Sequence, residues 1–139
     1  MFLCAEPPSN LILLQPVLAV NQCTPQYSGY CAFNEVYRWT GNQNWNGNAQ
    51  AAAPNATVFA VVNLVNGTYA LTLRLVSPGQ RPVSWTDVVP ASWLGSANFT
   101  NAYVVVEHHS ACSQLPASQT LRFQNVRLFC NGNLVWNPA

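Results

Sequence analysis

The chain of 139 residues carries very little charge. Only 6% of its residues are charged, there is no lysine, and the formal net charge is +1. An ordinary soluble domain has about 25% charged residues. Proteins that follow the phosphates of a nucleic acid need a dense basic stripe, and the five arginines here are spread along the chain. The composition therefore predicts no nucleic-acid partner.

The chain also lacks a long apolar run. A helix that spans a membrane needs about 18 or more consecutive apolar residues. The longest candidate, from Leu11 to Val20, is interrupted by Gln15 and Pro16. We therefore expect no membrane span.

Titratable side chains are scarce as well, with four acidic residues and two adjacent histidines, His108 and His109. A glycosidase would need two of the four carboxylates to face each other across a cleft. No pair of cysteines has the Cys-x-x-Cys spacing typical of zinc sites. These absences predict a protein that is not an enzyme, with no catalytic residue, no metal site and no cofactor.

What the chain does contain is apolar and amide-rich. Half of its residues are hydrophobic and 12% are aromatic, which is enough for a packed core in one domain covering residues 1–139. Asn and Gln together supply 25 residues, so most of the polar surface is neutral. Because net charge contributes little to solubility here, the composition favours glycan cover or incorporation into an assembly.

Five cysteines in so short a chain indicate an oxidising compartment. The spacing predicts one disulfide between Cys23 and Cys31 and a second between Cys112 and Cys130. Cys4 is left over, as a free thiol, a bridge between chains, or the true partner of Cys23; the sequence leaves these open.

Three Asn-x-Ser/Thr sequons predict N-glycosylation at Asn55, Asn66 and Asn98. Together with the cysteines and the low charge, they favour an extracellular glycoprotein, either secreted or displayed on a cell surface.

The clearest local pattern is a hairpin at Asn66-Gly67, a dipeptide that supplies the positive φ values of a type I′ turn. A two-residue turn determines the register, and here it gives one apolar face on both strands. On the second face, Arg74 is expected to lie over the Phe59 ring. The apolar face is predicted to pair Leu64 with Tyr69, Val62 with Leu71, Ala60 with Leu73 and Val58 with Leu75.

The remaining strands are short and separated by Gly and Pro. A second hairpin is predicted at Asn131-Gly132, with a bulge or a change of packing surface near Asn125. Short strands between turn signals predict a single-domain, disulfide-stapled antiparallel β-sandwich, either immunoglobulin-like or jelly-roll. The other predicted strands are Leu11 to Val20, Asn34 to Thr40, Pro82 to Val89, Ala102 to His108, Leu121 to Cys130 and Asn133 to Trp136.

The segment from Trp39 to Asn48 places aromatic rings beside a cluster of amides. Sugars stack their C–H faces on rings and hydrogen-bond through their hydroxyls, so this combination suits a carbohydrate ligand. Alternatively, Trp39 anchors a strand in the core and the Asn-Gly content serves turn geometry. Trp45 lies outside any strand pattern. The predicted ligand-binding residues are Trp45, Trp39, Asn42, Asn44, Asn46 and Asn48.

Residues 1–20 are predicted to form an N-terminal arm and first strand. The strand pairs either with its own sheet or with a neighbouring subunit, and both readings stay open. Self-association would then involve residues 10–20 and Cys4. The sequence favours a secreted, non-enzymatic recognition module for a glycan or cell-surface glycoprotein. The alternative is a structural subunit of an extracellular filament, surface layer or virion, assembled partly by donation of the N-terminal strand.

Overall fold

In the computed structural model, antiparallel strands account for most of the described residues, as the alternation of apolar and polar residues predicts. The structure describes residues 2–6, 12–20, 23, 29–95, 97, 99, 101–105, 122–130 and 133–136. Its strands are β1 (Phe2–Glu6), β2 (Ile12–Val20), β3 (Tyr30–Arg38), β4 (Gln43–Asn46), β5 (Gln50–Ala52), β6 (Thr57–Val65), β7 (Thr68–Val76), β8 (Val83–Val88), β9 (Asn101–Val105), β10 (Leu128–Cys130) and β11 (Asn133–Trp136), and one short helix, α1, covers Ala91–Leu94.

These strands form three sheets. The large sheet has the order β4-β3-β2-β1-β9, and β5 pairs with β3 beyond the end of β4. The small sheet has the order β6-β7-β8, and β10 and β11 form a separate hairpin. In an immunoglobulin sandwich the second and third strands lie in different sheets. Here β2 and β3 are neighbours in one sheet, so the strand order differs from the immunoglobulin order. Strands β1 to β4 form one meander and β6 to β8 form another.

The large and small sheets pack face to face as a sandwich, which confirms the predicted fold class. Strand β2 faces β6 and β7, and β3 faces β7. The side chains between the sheets form two apolar clusters, because alternate residues of each strand point to the same side. The first cluster contains Leu14, Val36, Leu71, Val89 and Leu94, and the second contains Ala32, Ala52, Leu73 and Leu75.

The Asn66-Gly67 hairpin has the predicted register. Leu64 lies opposite Tyr69, and the pairing continues without a shift to the far ends of β6 and β7. Asn66 and Gly67 have φ values of 50° and 75°, as the turn requires. The Arg74 guanidinium lies 5.6 Å from the centre of the Phe59 ring. Turn chemistry and apolar pattern indicate the same register, which is why the prediction is confirmed pair by pair.

The first long strand pairs within its own chain. β2 is aligned with β3 over nine residues, from Ile12 opposite Arg38 to Val20 opposite Tyr30. Its other side pairs with β1, which itself pairs with β9. Cys4 lies in β1, opposite Tyr103. Since both sides of β2 have partners in this chain, donation to another subunit would require an exchange of strands and stays a prediction.

Several predicted boundaries are wrong by a few residues. The strand expected at Asn34 to Thr40 begins earlier, at Tyr30, and ends at Arg38. Among the described residues, the strand expected from Leu121 is limited to Leu128–Cys130. Its register shifts between Leu128 and Phe129, whereas Asn125, where the irregularity was predicted, lies outside the strand. Helix α1 was not predicted. It begins directly after Pro90, whose φ of −59° suits a helix start.

Candidate functional site

The aromatic and amide residues of the predicted site lie around the β3–β4 hairpin. On β3, Glu35 and Tyr37 are two residues apart and point away from the small sheet. Asn46 and Asn44 lie opposite them on β4. Opposed residues of antiparallel strands share a face, so these four side chains form one outward surface.

The turn between the strands adds two more side chains to this surface. Residues 39–42 connect β3 to β4, and the Asn42 backbone N–H donates to the Trp39 carbonyl at 3.2 Å. Gly41 and Asn42 adopt φ values of 82° and 49°, a region that glycine and asparagine tolerate. The Trp39 side chain is 48% exposed, and its ring meets the Tyr37 ring edge to face with centroids 5.0 Å apart. We call Glu35, Tyr37, Trp39, Asn42, Asn44 and Asn46 the β3–β4 surface.

Hydrogen bonds hold the polar side chains of this surface in place. The Tyr37 hydroxyl donates to Oδ1 of Asn42. Glu35 accepts from Nδ2 of Asn44 at 3.3 Å through one oxygen and from Nε2 of the buried Gln15 through the other. Each carboxylate oxygen has a further acceptor position. The surface thus presents an exposed indole ring beside oriented amides and a carboxylate that can accept further hydrogen bonds.

Trp45 does not belong to this surface. Sequence reasoning placed it outside any strand, but it lies in β4 opposite Val36, on the inner face of the large sheet. Its partly buried ring packs against the first apolar cluster. An indole that packs against the core is poorly placed for a ligand, because apolar side chains already cover part of it.

The Arg38 side chain lies on the inner side of the same hairpin, next to helix α1. Its Nε donates to the Trp93 carbonyl at 2.9 Å, and its Nη2 donates to the Ser92 carbonyl at 2.5 Å. The guanidinium also lies 4.9 Å from the centre of the Trp93 ring. The end of β3 is thereby attached to helix α1, and two of the guanidinium N–H groups already have protein acceptors.

Between β4 and β5 the edge strand is interrupted, and a polar link joins the two sheets there. The Gly47 N–H donates to the backbone carbonyl of the fully buried Asn34 at 2.8 Å. The Asn34 side-chain amide donates to Asp87 at 2.7 Å and to the Leu71 carbonyl at 3.0 Å. A Cβ on residue 47 would lie 2.4 Å from the Asp87 carboxyl carbon. Only glycine leaves room for this carboxylate. The neighbouring Asn48 is exposed.

The predicted disulfide between Cys23 and Cys31 is present, with Cα atoms 5.8 Å apart. It closes the connection into the start of β3, and Cys31 is fully buried. Cys130 ends β10, while its predicted partner Cys112 lies outside the described residues.

Two of the three predicted glycosylation sites fall in described turns. Asn55 and Asn66 are both exposed, with φ values of 64° and 50°. Asn55 lies just before β6 and Asn66 just after it. Asn98 lies outside the described residues.

Sequence reasoning missed Glu35 and Tyr37, although a signal was present. Glu35, Tyr37 and Trp39 occupy alternate positions in the sequence, and so do Asn42, Asn44 and Asn46. In a hairpin this period places each set on one face. Treating residues 43–46 as a strand instead of a loop would have joined the two sets and excluded Trp45.

Among the described residues, no three His, Cys, Asp or Glu side chains group in a way that could hold a metal ion. Within the same part of the chain, no helix is long and apolar enough to cross a membrane. No protein family, curated protein or solved structure matches the chain.

Proposed function

We propose that the protein is a secreted, non-enzymatic recognition module that binds carbohydrate through the β3–β4 surface. The observation that carries the proposal is the position of the 48% exposed Trp39 ring beside ordered polar groups. The ring offers an apolar platform for the C–H face of a sugar. Asn42 and Asn44 beside it offer amide groups for sugar hydroxyls.

The existing hydrogen bonds support this proposal because they reduce the cost of binding. Tyr37 already orients Asn42, and Glu35 already orients Asn44. A surface whose side chains are ordered before binding loses less conformational freedom when a ligand arrives. Within the described part of the chain, each Glu35 oxygen accepts one hydrogen bond, so Glu35 is suited to accept from a sugar hydroxyl as well.

The extracellular location belongs to the same proposal. The Cys23–Cys31 disulfide is compatible with an oxidising compartment. The exposed turns at Asn55 and Asn66 are accessible to N-glycosylation. We propose a glycan, free or carried by a cell-surface glycoprotein, as the partner.

Replacing Trp39 tests the proposal directly. Trp39→Ala should abolish signal on a glycan array, since it removes the exposed platform. Phe59→Ala is the matched control, because Phe59 is a similarly exposed ring, at 51%, on the outer face of the small sheet. Phe59→Ala should bind as wild type does. Equal binding by wild type and Trp39→Ala, with both chains folded, would remove the β3–β4 surface as the site.

The assembly alternative is tested independently. If the protein is a subunit joined by exchange of its N-terminal strand, the intact chain should form dimers or polymers whose mass light scattering detects. A monomer mass at every concentration would contradict it. We favour recognition because β2 pairs with β3 of its own chain over its whole length.

A further inference from the structure

Neutral amides are the partners of the Glu35 carboxylate on the β3–β4 surface. Gln15 donates to one of its oxygens and Asn44 to the other. In the part of the chain that the structure describes, no arginine or histidine forms an ion pair with Glu35. Glu35 is also the one charged residue in the set that defines this surface, so the surface presents a net negative charge.

The arginine closest to Glu35 in sequence is directed away from it. Arg38 lies on the inner side of the hairpin and donates to two carbonyls of α1. Successive residues of a strand point to opposite faces, so Glu35 and Arg38, three positions apart, lie on opposite sides of the large sheet. The direction of the strand therefore keeps apart two opposite charges that are near neighbours in the chain.

Partial burial increases the attraction between this carboxylate and a cation. Glu35 is half-buried, whereas Asn44 and Asn46 beside it are exposed. Water screens a charge less at a half-buried position, so a cation that reaches Glu35 is held more strongly than one on an open surface. An ammonium group has three donors. It can therefore donate both to Glu35 and to the side-chain oxygen of Asn46, which lies opposite on β4.

The spacing of Glu35 and Trp39 determines the length of the ligand. Trp39 follows Glu35 by four residues and comes directly after the end of β3. An extended chain rises about 3.3 Å per residue, so roughly 13 Å separates the two positions. One sugar ring is too short to cover the Trp39 indole and also reach Glu35. A ligand that uses both groups is therefore an oligosaccharide that runs along β3.

The shape of the surface favours an extended sugar chain. The paired strands β3 and β4 form a long face, and the Trp39 ring at its end is 48% exposed. In a chain of β-linked glucose units, as in cellulose, the ring substituents are equatorial, so the chain is a flat ribbon. Each ring then presents C–H groups on both faces, and either face can stack on an indole. A ring with an axial hydroxyl has one apolar face fewer.

We propose that the ligand of the β3–β4 surface is an oligosaccharide of β-linked glucosamine units, with one ring on Trp39 and a protonated amine on Glu35. This inference rests on the proposed function and adds the charge and the length of the ligand. A hydrogen bond from an ammonium group to a carboxylate is stronger than one from a neutral hydroxyl, so the amine is preferred. Sugars that carry carboxylates are disfavoured, because like charges would meet at Glu35.

Matched tetrasaccharides test the charge preference on the wild-type chain. The glucosamine tetramer and cellotetraose differ only in an amine or a hydroxyl on each ring, and calorimetry in slightly acidic buffer compares them with the amines protonated. The glucosamine tetramer should bind about tenfold more tightly. Cellotetraose oxidised to carboxylates at its primary hydroxyls should bind more weakly than cellotetraose itself. Added salt should reduce both differences. Because the net charge of the chain is +1, general attraction of polycations does not explain such a preference.

Two variants test whether Glu35 is the source of the preference. Glu35→Gln keeps the shape of the side chain and removes its charge, so the glucosamine tetramer and cellotetraose should bind it within about twofold of each other. Asp87→Asn is the matched control. It changes the net charge by the same amount, and Asp87 lies on the inner face of the small sheet, opposite Leu71. It should retain the tenfold preference, with circular dichroism showing that both variants fold.

Four results would overturn the inference. They are equal affinity of the wild-type chain for the two tetramers, binding of neither, a full preference in Glu35→Gln, and equal binding of a tetralysine peptide, which has the charge without the sugar rings. The wild-type comparisons do not depend on the folding of any variant. Glycan-array binding that is lost in Trp39→Ala would persist in all four cases if the proposed function is correct. Failure of this inference is therefore distinguishable from failure of the proposed function.

Discussion

Two edges of the sandwich, at β4–β5 and at β6, belong to hairpins that differ in regularity. In both the β3–β4 and the β6–β7 hairpin, successive residues alternate between two faces. At β4–β5 the edge is interrupted by Gly47, and Asn34 and Asp87 join the two sheets beside the interruption. At β6 the alternation runs without interruption over nine residues, and Phe59, Val61 and Val65 are exposed on the outer face. We therefore expect the β4–β5 edge to depend on specific polar contacts for its stability. The β6 edge should depend on regular strand pairing and on burial of its inner face.

The largest effect is expected from closing the space at the interruption. Gly47→Ala should lower the free energy of unfolding by about 2 to 3 kcal/mol, because its Cβ would overlap the Asp87 carboxylate and displace it from Asn34. Chemical denaturation measures the loss. In a double-mutant cycle with Asp87→Ala, the two costs should be less than additive, since the second change removes the overlapping group. Fully additive costs would show that the overlap is not the cause.

A smaller effect is expected where β3 is attached to α1. Arg38→Met should cost about 1 to 2 kcal/mol, since it removes the bonds to the Ser92 and Trp93 carbonyls and keeps the aliphatic stem. Arg74→Met is the matched variant on the small sheet, where the guanidinium lies over Phe59 on an exposed face. It should change stability by less than about 0.5 kcal/mol. Equal losses of unfolding free energy in the two variants would show that polar contacts matter no more in the β3–β4 hairpin than on the small sheet.

The smallest effect is expected on the outer face of the small sheet. Thr72 and Thr86 share a hydrogen bond of 2.8 Å between their hydroxyls, on adjacent strands and exposed to solvent. Thr86→Val removes this bond but keeps a β-branched side chain, so the free energy of unfolding should change by less than about 0.5 kcal/mol. A loss of 2 kcal/mol or more in thermal or chemical unfolding would show that this face depends on specific polar contacts after all.

How far sequence reasoning succeeds depends on whether the deciding contacts are local. The β6–β7 register follows from Asn66-Gly67 and the apolar face on either side, all within twenty residues, and it was predicted pair by pair. The Cys23–Cys31 bridge closes a short loop and was predicted for the same reason.

The candidate site was predicted only in part. Trp39 and Asn42, Asn44 and Asn46 lie on one surface as a group of neighbours in sequence. Trp45 was misplaced, because its direction depends on Val36 across the hairpin and on the core beneath it. Glu35 and Tyr37 were missed because they reach the amides only once β3 and β4 are aligned.

By itself, the sequence determined the alternating strands, the type I′ turn, the short disulfide and a surface rich in amides instead of charges. These properties depend on residue types and on contacts between near neighbours. Only the tertiary structure decided that Trp45 turns inward, that Asn34 meets Asp87 from the other sheet, and that β6 is left at an edge. The physical reason is that each of these depends on how two sheets stack and in what order their strands pair, and residues far apart in the chain determine both.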